Sequence, residues 1–313
     1  MSSIEKAIER LAKTKSDKSK ANDALNPAGT EARGKEVDSS KSAPQQTTPA
    51  MQGAGARAAE PTTTATKEPA KRGPAKKIKL DYETLSRVGY IVPHAGNKQL
   101  SEEYRIIKRP IIMNALGKGA APIQHGNLVS ISSSLPSEGK TFTAFNLALS
   151  ISTELDSTVL LIDGDVLRYS LSKLIGIQDE KGLIDILEDK NCTVGDVLLE
   201  TQIPKLKIIG AGKRSDKSTE LLASKEMEDL LNELAVRYQD RIIIFDSPPL
   251  LSTSESIVLN QHMGQVLIVV EAGGTPVDAI KDTLSRLDSD KAIGLVLNKS
   301  RESRGDNYYG TYY

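Results

Sequence analysis

Ser134-Leu-Pro-Ser-Glu-Gly-Lys-Thr141 decides how this 313-residue chain is read. It follows the apolar run Leu128-Val-Ser-Ile131 and precedes a segment with helical patterning, Phe142 to Thr153. A strand, a tight loop ending in Gly-Lys-Thr and a helix make a phosphate cradle. Backbone N–H groups and the helix N-terminus point at the β-phosphate, Lys140 neutralises β/γ charge, and the Thr141 hydroxyl reaches Mg2+. The residues expected around a nucleotide are therefore Ser134, Glu138, Gly139, Lys140, Thr141 and Phe142. One departure from G-x-x-x-x-G-K-[ST] is plain: Ser134 stands where the first glycine belongs.

Two acidic motifs follow at strand ends. Thr158-Val-Leu-Leu-Ile162 has the continuous apolar character of a buried parallel strand and runs into Asp163-Gly-Asp165-Val-Leu-Arg168. Arg241-Ile-Ile-Ile-Phe245 is another, ending in Asp246-Ser-Pro-Pro249. Ligands of parallel sheets bind outside the carboxyl ends of the strands, so the loop and three carboxylates share one edge. A single aspartate after a strand is ordinarily a turn residue or a helix N-cap. Three apolar strands ending in these groups, in this order, point instead to a nucleoside triphosphate with Mg2+, its metal near Thr141, Asp165 and Asp246.

Composition divides the chain. Residues 1–80 contain no aromatic residue and are dominated by Ala, Thr, Pro, Lys and Ser, as in Ala43-Pro-Gln-Gln-Thr-Thr-Pro-Ala50. Such a segment buries too little apolar surface to offset its ordering entropy and is expected to be disordered. Ile4, Ala7, Ile8 and Leu11 do share one helical face, giving either a frayed terminal helix or a docking helix. The arm carries 16 Lys and Arg against 9 Asp and Glu, a charge of +7 within a chain whose formal net charge is zero. Its basic cluster, Lys71-Arg72 with Lys76, Lys77 and Lys79, is a solvated linker or a surface for anionic partners. No basic patch with interleaved aromatics suggests nucleic-acid reading.

Cys192 is the only cysteine, which fits a reducing compartment. No run approaches the roughly 18–20 apolar residues of a membrane span, and the N-terminus lacks a signal-peptide core. A soluble, cytoplasmic chain is expected. His94, His125 and His262 are scattered and do not read as metal ligands.

From about Ile78, short apolar strands alternate with amphipathic helices. Strands are expected at 128–131, 159–162, 206–209, 242–245, 266–270 and 293–297, and helices at 102–116, 142–153, 220–238, 255–261 and 276–287. This order gives right-handed crossovers and a parallel sheet with both faces covered. Three regions follow: a basic arm at 1–80, one α/β domain at 81–300 and a flexible tail at 301–313. In the tail, Tyr308, Tyr309, Tyr312 and Tyr313 place four of the nine tyrosines within six residues. Without core sequence around them they are either an aromatic contact in an oligomer or phenols offered as substrates.

Taken together, the loop, the Asp163-x-Asp165 and Asp246-Ser-Pro-Pro249 motifs and the tyrosine tail resemble the bacterial tyrosine kinases (BY-kinases). The likeness is nearest to the tyrosine autokinases of exosortase/PEP-CTERM exopolysaccharide systems, and covers about Leu80 to Tyr313 with the opening Ile4 to Leu11. It implies an α/β P-loop NTPase fold of the ParA/MinD class, with ATP and Mg2+ as ligands. Lys140, Asp163 and Asp165 would be catalytic, with Asp163 orienting or deprotonating the attacking phenol. Tyr308, Tyr309, Tyr312 and Tyr313 would be the acceptors. Asn298 is similar in position to an adenine-contacting residue, or is a strand-end turn residue. Glu102, Arg105 and Lys108, at i, i+3 and i+6, are expected along one helix face presenting charge to a neighbour. They resemble the family's E-x-x-R-x-x-R oligomerisation motif, with Lys at the last place, and imply a ring of subunits. A membrane chain-length determinant (polysaccharide co-polymerase) would be the activator, recruiting the chain to the inner face of the plasma membrane. A protein-tyrosine phosphatase would be a further partner. The family often has Gly at the place of Ser137 and Pro at that of Tyr169, and Arg where this chain has Leu167 beside Arg168. A ParA/MinD-type positioning ATPase and an ATP-binding scaffold are the alternatives.

Overall fold

A computed structural model describes residues 76–93, 97–238 and 240–300. The expected helix at 4–11, the Lys71-Arg72 pair and the tyrosines of 308–313 lie outside the described residues.

The chain opens with the two-residue strand β1 (Lys76–Lys77), the short helix α1 (Tyr82–Arg87) and the long helix α2 (Lys98–Ala115). Next come β2 (Leu128–Ser133), α3 (Lys140–Ile151), β3 (Thr158–Asp163), α4 (Ser170–Leu174), α5 (Leu183–Glu188) and α6 (Val194–Val197). Strands β4 (Leu199–Glu200) and β5 (Leu206–Ile209) precede α7 (Ser218–Leu222) and α8 (Lys225–Arg237). The last elements are β6 (Arg241–Asp246), α9 (Ser254–Gln261), β7 (Gln265–Glu271), α10 (Val277–Ser285) and β8 (Ala292–Asn298). They form one eight-stranded sheet in the order β1-β4-β5-β3-β6-β2-β7-β8, parallel except for the β4–β5 pair.

The six longer strands lie on the expected short apolar runs, as suits a sheet covered on both faces. The runs are unbroken in β3, β6 and β7 and interrupted by Ser130 in β2, Lys207 in β5 and Gly294 in β8. One face carries α2, α3 and α4; the other carries α5 to α10. Helix α3 is nearly all interior: ten of its twelve residues are buried, including Phe145 and Leu147. Burying side chains of that size is worth roughly 1.5–3 kcal/mol each, and it anchors the helix whose first turn carries Lys140 and Thr141.

Several boundaries differ from expectation for local reasons. Helix α2 starts four residues early because the Asn97 side chain caps it, accepting from the Leu100 N–H. The stretch expected as one helix at 220–238 is two, since Ser224 caps a new start at Lys225 and accepts from the Met227 N–H. Helices α1, α4, α5 and α6 and strands β1 and β4 are too short to show a period. The ordered sheet also begins at Lys76 rather than at 81, with Leu80 buried and its backbone paired in both directions with the Gln202 side chain.

Register then places the chemistry. β3 and β6 pair with Asp163 opposite Asp246, and β6 pairs with β2 so that Ile131 faces Asp246. Both carboxylates thus end adjacent strands beside the loop that leaves β2.

Candidate active site

The loop after β2 is a compact cage. Ser137 and Gly139 both have left-handed backbone, φ 68° and 99°, and these turns deliver the chain into α3, with Gly139 as its N-cap residue. Only glycine fits at 139, since a Cβ there would lie 2.0 Å from Asn298 Nδ2. Ser137 is a serine in a conformation that costs an L-residue about 1–2 kcal/mol, which explains why glycine suits this place. The Lys299 ammonium, itself at φ 58°, donates to the Ser137 carbonyl at 2.8 Å.

Other contacts tie the loop to its surroundings. The buried Glu138 carboxylate accepts from the Leu135 N–H at 2.7 Å and from the Thr275 hydroxyl. Asn298 Nδ2 donates to the Glu138 carbonyl at 2.8 Å. Ser134 is wholly buried, and its hydroxyl accepts from Thr283 at 2.8 Å, fastening the loop to α10.

Lys140 lies inside, 6% exposed, with Nζ 2.7 Å from Asp165 Oδ2. Burial alone would lower its pKa, but Asp246, Asp165 and Asp163 together hold it above the ordinary lysine value. Asp163 Oδ2 accepts from the Ser172 N–H at 2.8 Å and from its hydroxyl at 2.7 Å, while Oδ1 has only a long 3.3 Å bond from the Asp165 N–H. Burial raises Asp163 to about 6, against the pull of Ser172.

Asp246 is wholly buried, and burial, with the Asp163 charge, raises it to about 7 although Lys140 pulls it down. The Thr141 hydroxyl is near enough to lower it as well, yet neither carboxylate oxygen makes a hydrogen bond of ordinary geometry. An orphaned buried carboxylate is costly and calls for a ligand. Three carboxylates and a threonine hydroxyl are a hard-oxygen set suited to Mg2+, and the Lys140 ammonium beside them suits phosphate oxygens. Among the described residues no group of three His, Cys, Asp or Glu forms a metal cage by itself. A Mg2+ ion in a nucleotide site is held by one or two carboxylates and completed by phosphate oxygens and water.

Not every expected site residue gathers here. Phe142 turns away to pack on Tyr90, with ring centroids 5.1 Å apart, and against Gly89; it fastens α3 to the segment after α1. Asn298 is engaged with the loop itself. Glu102 and Arg105 are exposed and paired at 3.0 Å. Lys108 does not share their face. It is 5% exposed, and its ammonium meets the Ser150 carbonyl at 2.8 Å, Thr153 Oγ1 at 3.3 Å and Glu154 Oε1 at 2.7 Å. Six residues at 100° each carry Lys108 about 120° around the helix from Glu102, onto the C-terminal end of α3, where a cation is favoured.

Some contributors have no motif: Ser172, Thr275, Thr283 and Lys299 act only through tertiary contact. Tyr169 has φ 57° and donates its N–H to the Asp165 carbonyl at 2.8 Å. A proline could do neither. The Tyr169 ring lies under Arg214, 5.5 Å from the guanidinium carbon, and lines a cavity of about 500 Å³.

A family described as AAA domain matches residues 127–291, more than half of the chain, and includes every one of these loop and carboxylate positions. The chain belongs to the AAA domain family. Curated relatives of the chain include tyrosine-protein kinases of bacteria. The kinase ptk of Acinetobacter johnsonii is 32% identical over 179 residues, which are 56% of this chain and 24% of that kinase. YwqD of Bacillus subtilis is 28% identical over 216 residues, 67% of this chain and 86% of YwqD. Among solved structures, the VpsO kinase domain superposes with a TM-score of 0.54 at 27% identity, covering 65% of this chain and 97% of that domain. This chain is thus a homologue of the bacterial tyrosine kinases with a P-loop α/β fold, although it spans only about a quarter of the first curated relatives. No helix among the described residues is long and apolar enough to cross a membrane.

Proposed function

We propose that this chain is an ATP-dependent protein-tyrosine kinase that phosphorylates its own C-terminal tyrosines, Tyr308, Tyr309, Tyr312 and Tyr313. The orphaned, buried Asp246 carboxylate beside Lys140, Thr141 and the Asp163–Asp165 pair carries the reading. It leaves a gap in charge and hydrogen bonding that a metal–nucleotide fills, on a scaffold shared with tyrosine kinases.

Phosphoryl transfer needs positioning and charge neutralisation more than covalent help from the protein. The backbone N–H groups of Glu138 to Thr141 would hold the β- and γ-phosphates. Lys140 would exchange its contact with Asp165 for the phosphate oxygens, freeing Asp165 for the metal with Thr141 and Asp246. Mg2+, when bound, would neutralise charge on the β- and γ-oxygens. A tyrosine oxygen would then form the new bond to the γ-phosphorus as the bond to the bridging oxygen breaks, with ADP leaving. The phenol proton, with its ordinary pKa near 10, needs an acceptor. Asp163, raised to about 6 and with Oδ1 less engaged than Oδ2, is suited to take it.

Transfer between subunits suits a tail that follows β8 by few residues, and Glu102 and Arg105 remain available on α2 as a charged interface. The family resemblance supplies the setting: exopolysaccharide synthesis and export, a membrane chain-length determinant as activator and a tyrosine phosphatase as counterpart. The test is to incubate the purified chain with Mg·ATP and map phosphotyrosine by mass spectrometry, beside Lys140→Met. Phosphate on the 308–313 tyrosines, absent from the variant, supports the reading. ATP hydrolysis with an unmodified tail would replace it with a positioning ATPase.

A further inference from the structure

Strand β8 closes one side of the sheet. It pairs with β7 along all seven residues, from Gln265–Ala292 to Glu271–Asn298, and its outer side has no partner strand among the described residues. The sequence Ala-Ile-Gly-Leu-Val-Leu-Asn contains no charge and no proline, and its register is unbroken by a bulge. Proteins ordinarily blunt a sheet edge with one of those devices or cover it, because unpaired N–H and C=O groups template association. None of the seven residues is fully buried, and Leu297 is 49% exposed.

Beside this edge, on the α2 face, lies a groove of about 360 Å³ walled by Ile106, Ile107 and Pro110 and floored by Leu267, Gly294 and Val296. A Cβ at Gly294 would stand 2.9 Å from Leu267 Cδ1, so a larger residue there would push the leucine end aside. Ile106 is 57% exposed on the groove rim.

We propose that the unphosphorylated segment Asn307–Tyr313 of this same chain turns back and pairs antiparallel with β8, seating tyrosine rings in this groove. The strand ends at Asn298, and Lys299 already has the left-handed φ of 58° that begins a reversal. Ser300-Arg-Glu-Ser-Arg-Gly-Asp306 is polar and ends in the turn-forming pair Gly305-Asp306. Asn307–Tyr313 and β8 are of equal length, each spanning about 24 Å when extended. With Asn307 opposite Asn298, Tyr309 and Tyr313 share the face of Val296 and Ala292, which is the groove face, and Tyr308 and Tyr312 share that of Leu297 and Ile293. Tyrosine suits such a site: its ring fills apolar space while the hydroxyl stays at the wet rim. A phosphate, adding about −1.5 to −2 charge, does not enter an apolar groove. The docked form therefore belongs to the unmodified tail, a consequence that rests on the acceptor reading above; the pairing itself does not.

Amide hydrogen exchange on the nucleotide-free full chain tests it, following peptides that cover 292–298. The outward amides of β8 should exchange about tenfold or more slowly than in the chain ended at Ser300. Tyr309→Asp with Tyr313→Asp, and separately Ile106→Asp at the exposed rim, should remove that protection while circular dichroism stays unchanged. Equal exchange in the full and shortened chains overturns the proposal. So does protection that survives shortening and grows with protein concentration, which would mean β8 pairing between copies. No ATP is used, so failure here is separable from failure of the kinase reading: phosphotyrosine on a tail that never protects β8 sinks only the docking.

Discussion

Replacing Asp246 by asparagine should stabilise the nucleotide-free protein near neutral pH and blunt its response to Mg·ATP. The carboxylate is wholly buried, neither oxygen has a good hydrogen bond, and burial raises it from 3.8 to about 7. An acid whose pKa is higher folded than unfolded binds its proton more tightly in the folded state. Its contribution to stability therefore falls as pH rises from about 3.8 to about 7 and stays low above that. About three pH units correspond to a cost on the order of 4 kcal/mol. Asparagine removes the ionisation but buries an amide with few partners, at about 1–3 kcal/mol. The net gain should be about 1–3 kcal/mol at about pH 8, or about 2–10 °C in Tm. Between about pH 8 and about pH 5.5 the advantage over the parent should shrink by about 2 kcal/mol, because the parent recovers stability. Urea unfolding of both proteins at the two pH values, without metal or nucleotide, measures this directly. A variant less stable than the parent at both, or an advantage indifferent to pH, would refute the argument and mean that the carboxylate is ionised and satisfied. With Mg·ATP added, the order should reverse: the parent gains by mass action, while the variant has lost a metal ligand and gains less.

Two further outcomes follow from contacts on α2 and in the phosphate loop. Lys108→Met keeps the apolar stem but removes charge-assisted bonds to the end of α3, and should cost about 2–3 kcal/mol in denaturant unfolding. Its partly exposed partner Glu154 adds little by its own charge. An unchanged stability with an altered oligomer mass would instead return Lys108 to an interface. Ser137→Gly relieves the left-handed serine and, after the larger entropy of the unfolded glycine chain, should raise stability by about 0.5–1 kcal/mol. A thermal melt that moves downward would show that the Ser137 side chain holds the loop in a way its backbone does not.

How much of the site was legible follows from how each residue acts. Lys140, Thr141, Asp163, Asp165 and Asp246 stand at strand ends or in the loop, where function depends on chain position, and the motif names them directly. Ser172, Thr275 and Thr283 act from segments 9 to 149 residues away from their partners, and a lone serine or threonine carries no local signal. Asn298 was visible as a strand-end residue, but that its amide grips the Glu138 carbonyl is a matter of where β8 lies beside β7. Lys108 shows the opposite failure. Its spacing fits a motif, yet an i, i+6 step leaves the face it was grouped with, and the neighbouring end of α3 decided its environment.

The chain's own order of residues, then, determined the strands, the phosphate loop and the carboxylates at one sheet edge, because apolar continuity and strand-end position are local properties. Only the tertiary structure decided which of those carboxylates is held and which is orphaned, where Lys108 points, and that β8 is left as an uncharged edge. Those depend on register and packing between distant segments, and burial, which sets the cost of every charge in the site, exists only once the chain has folded.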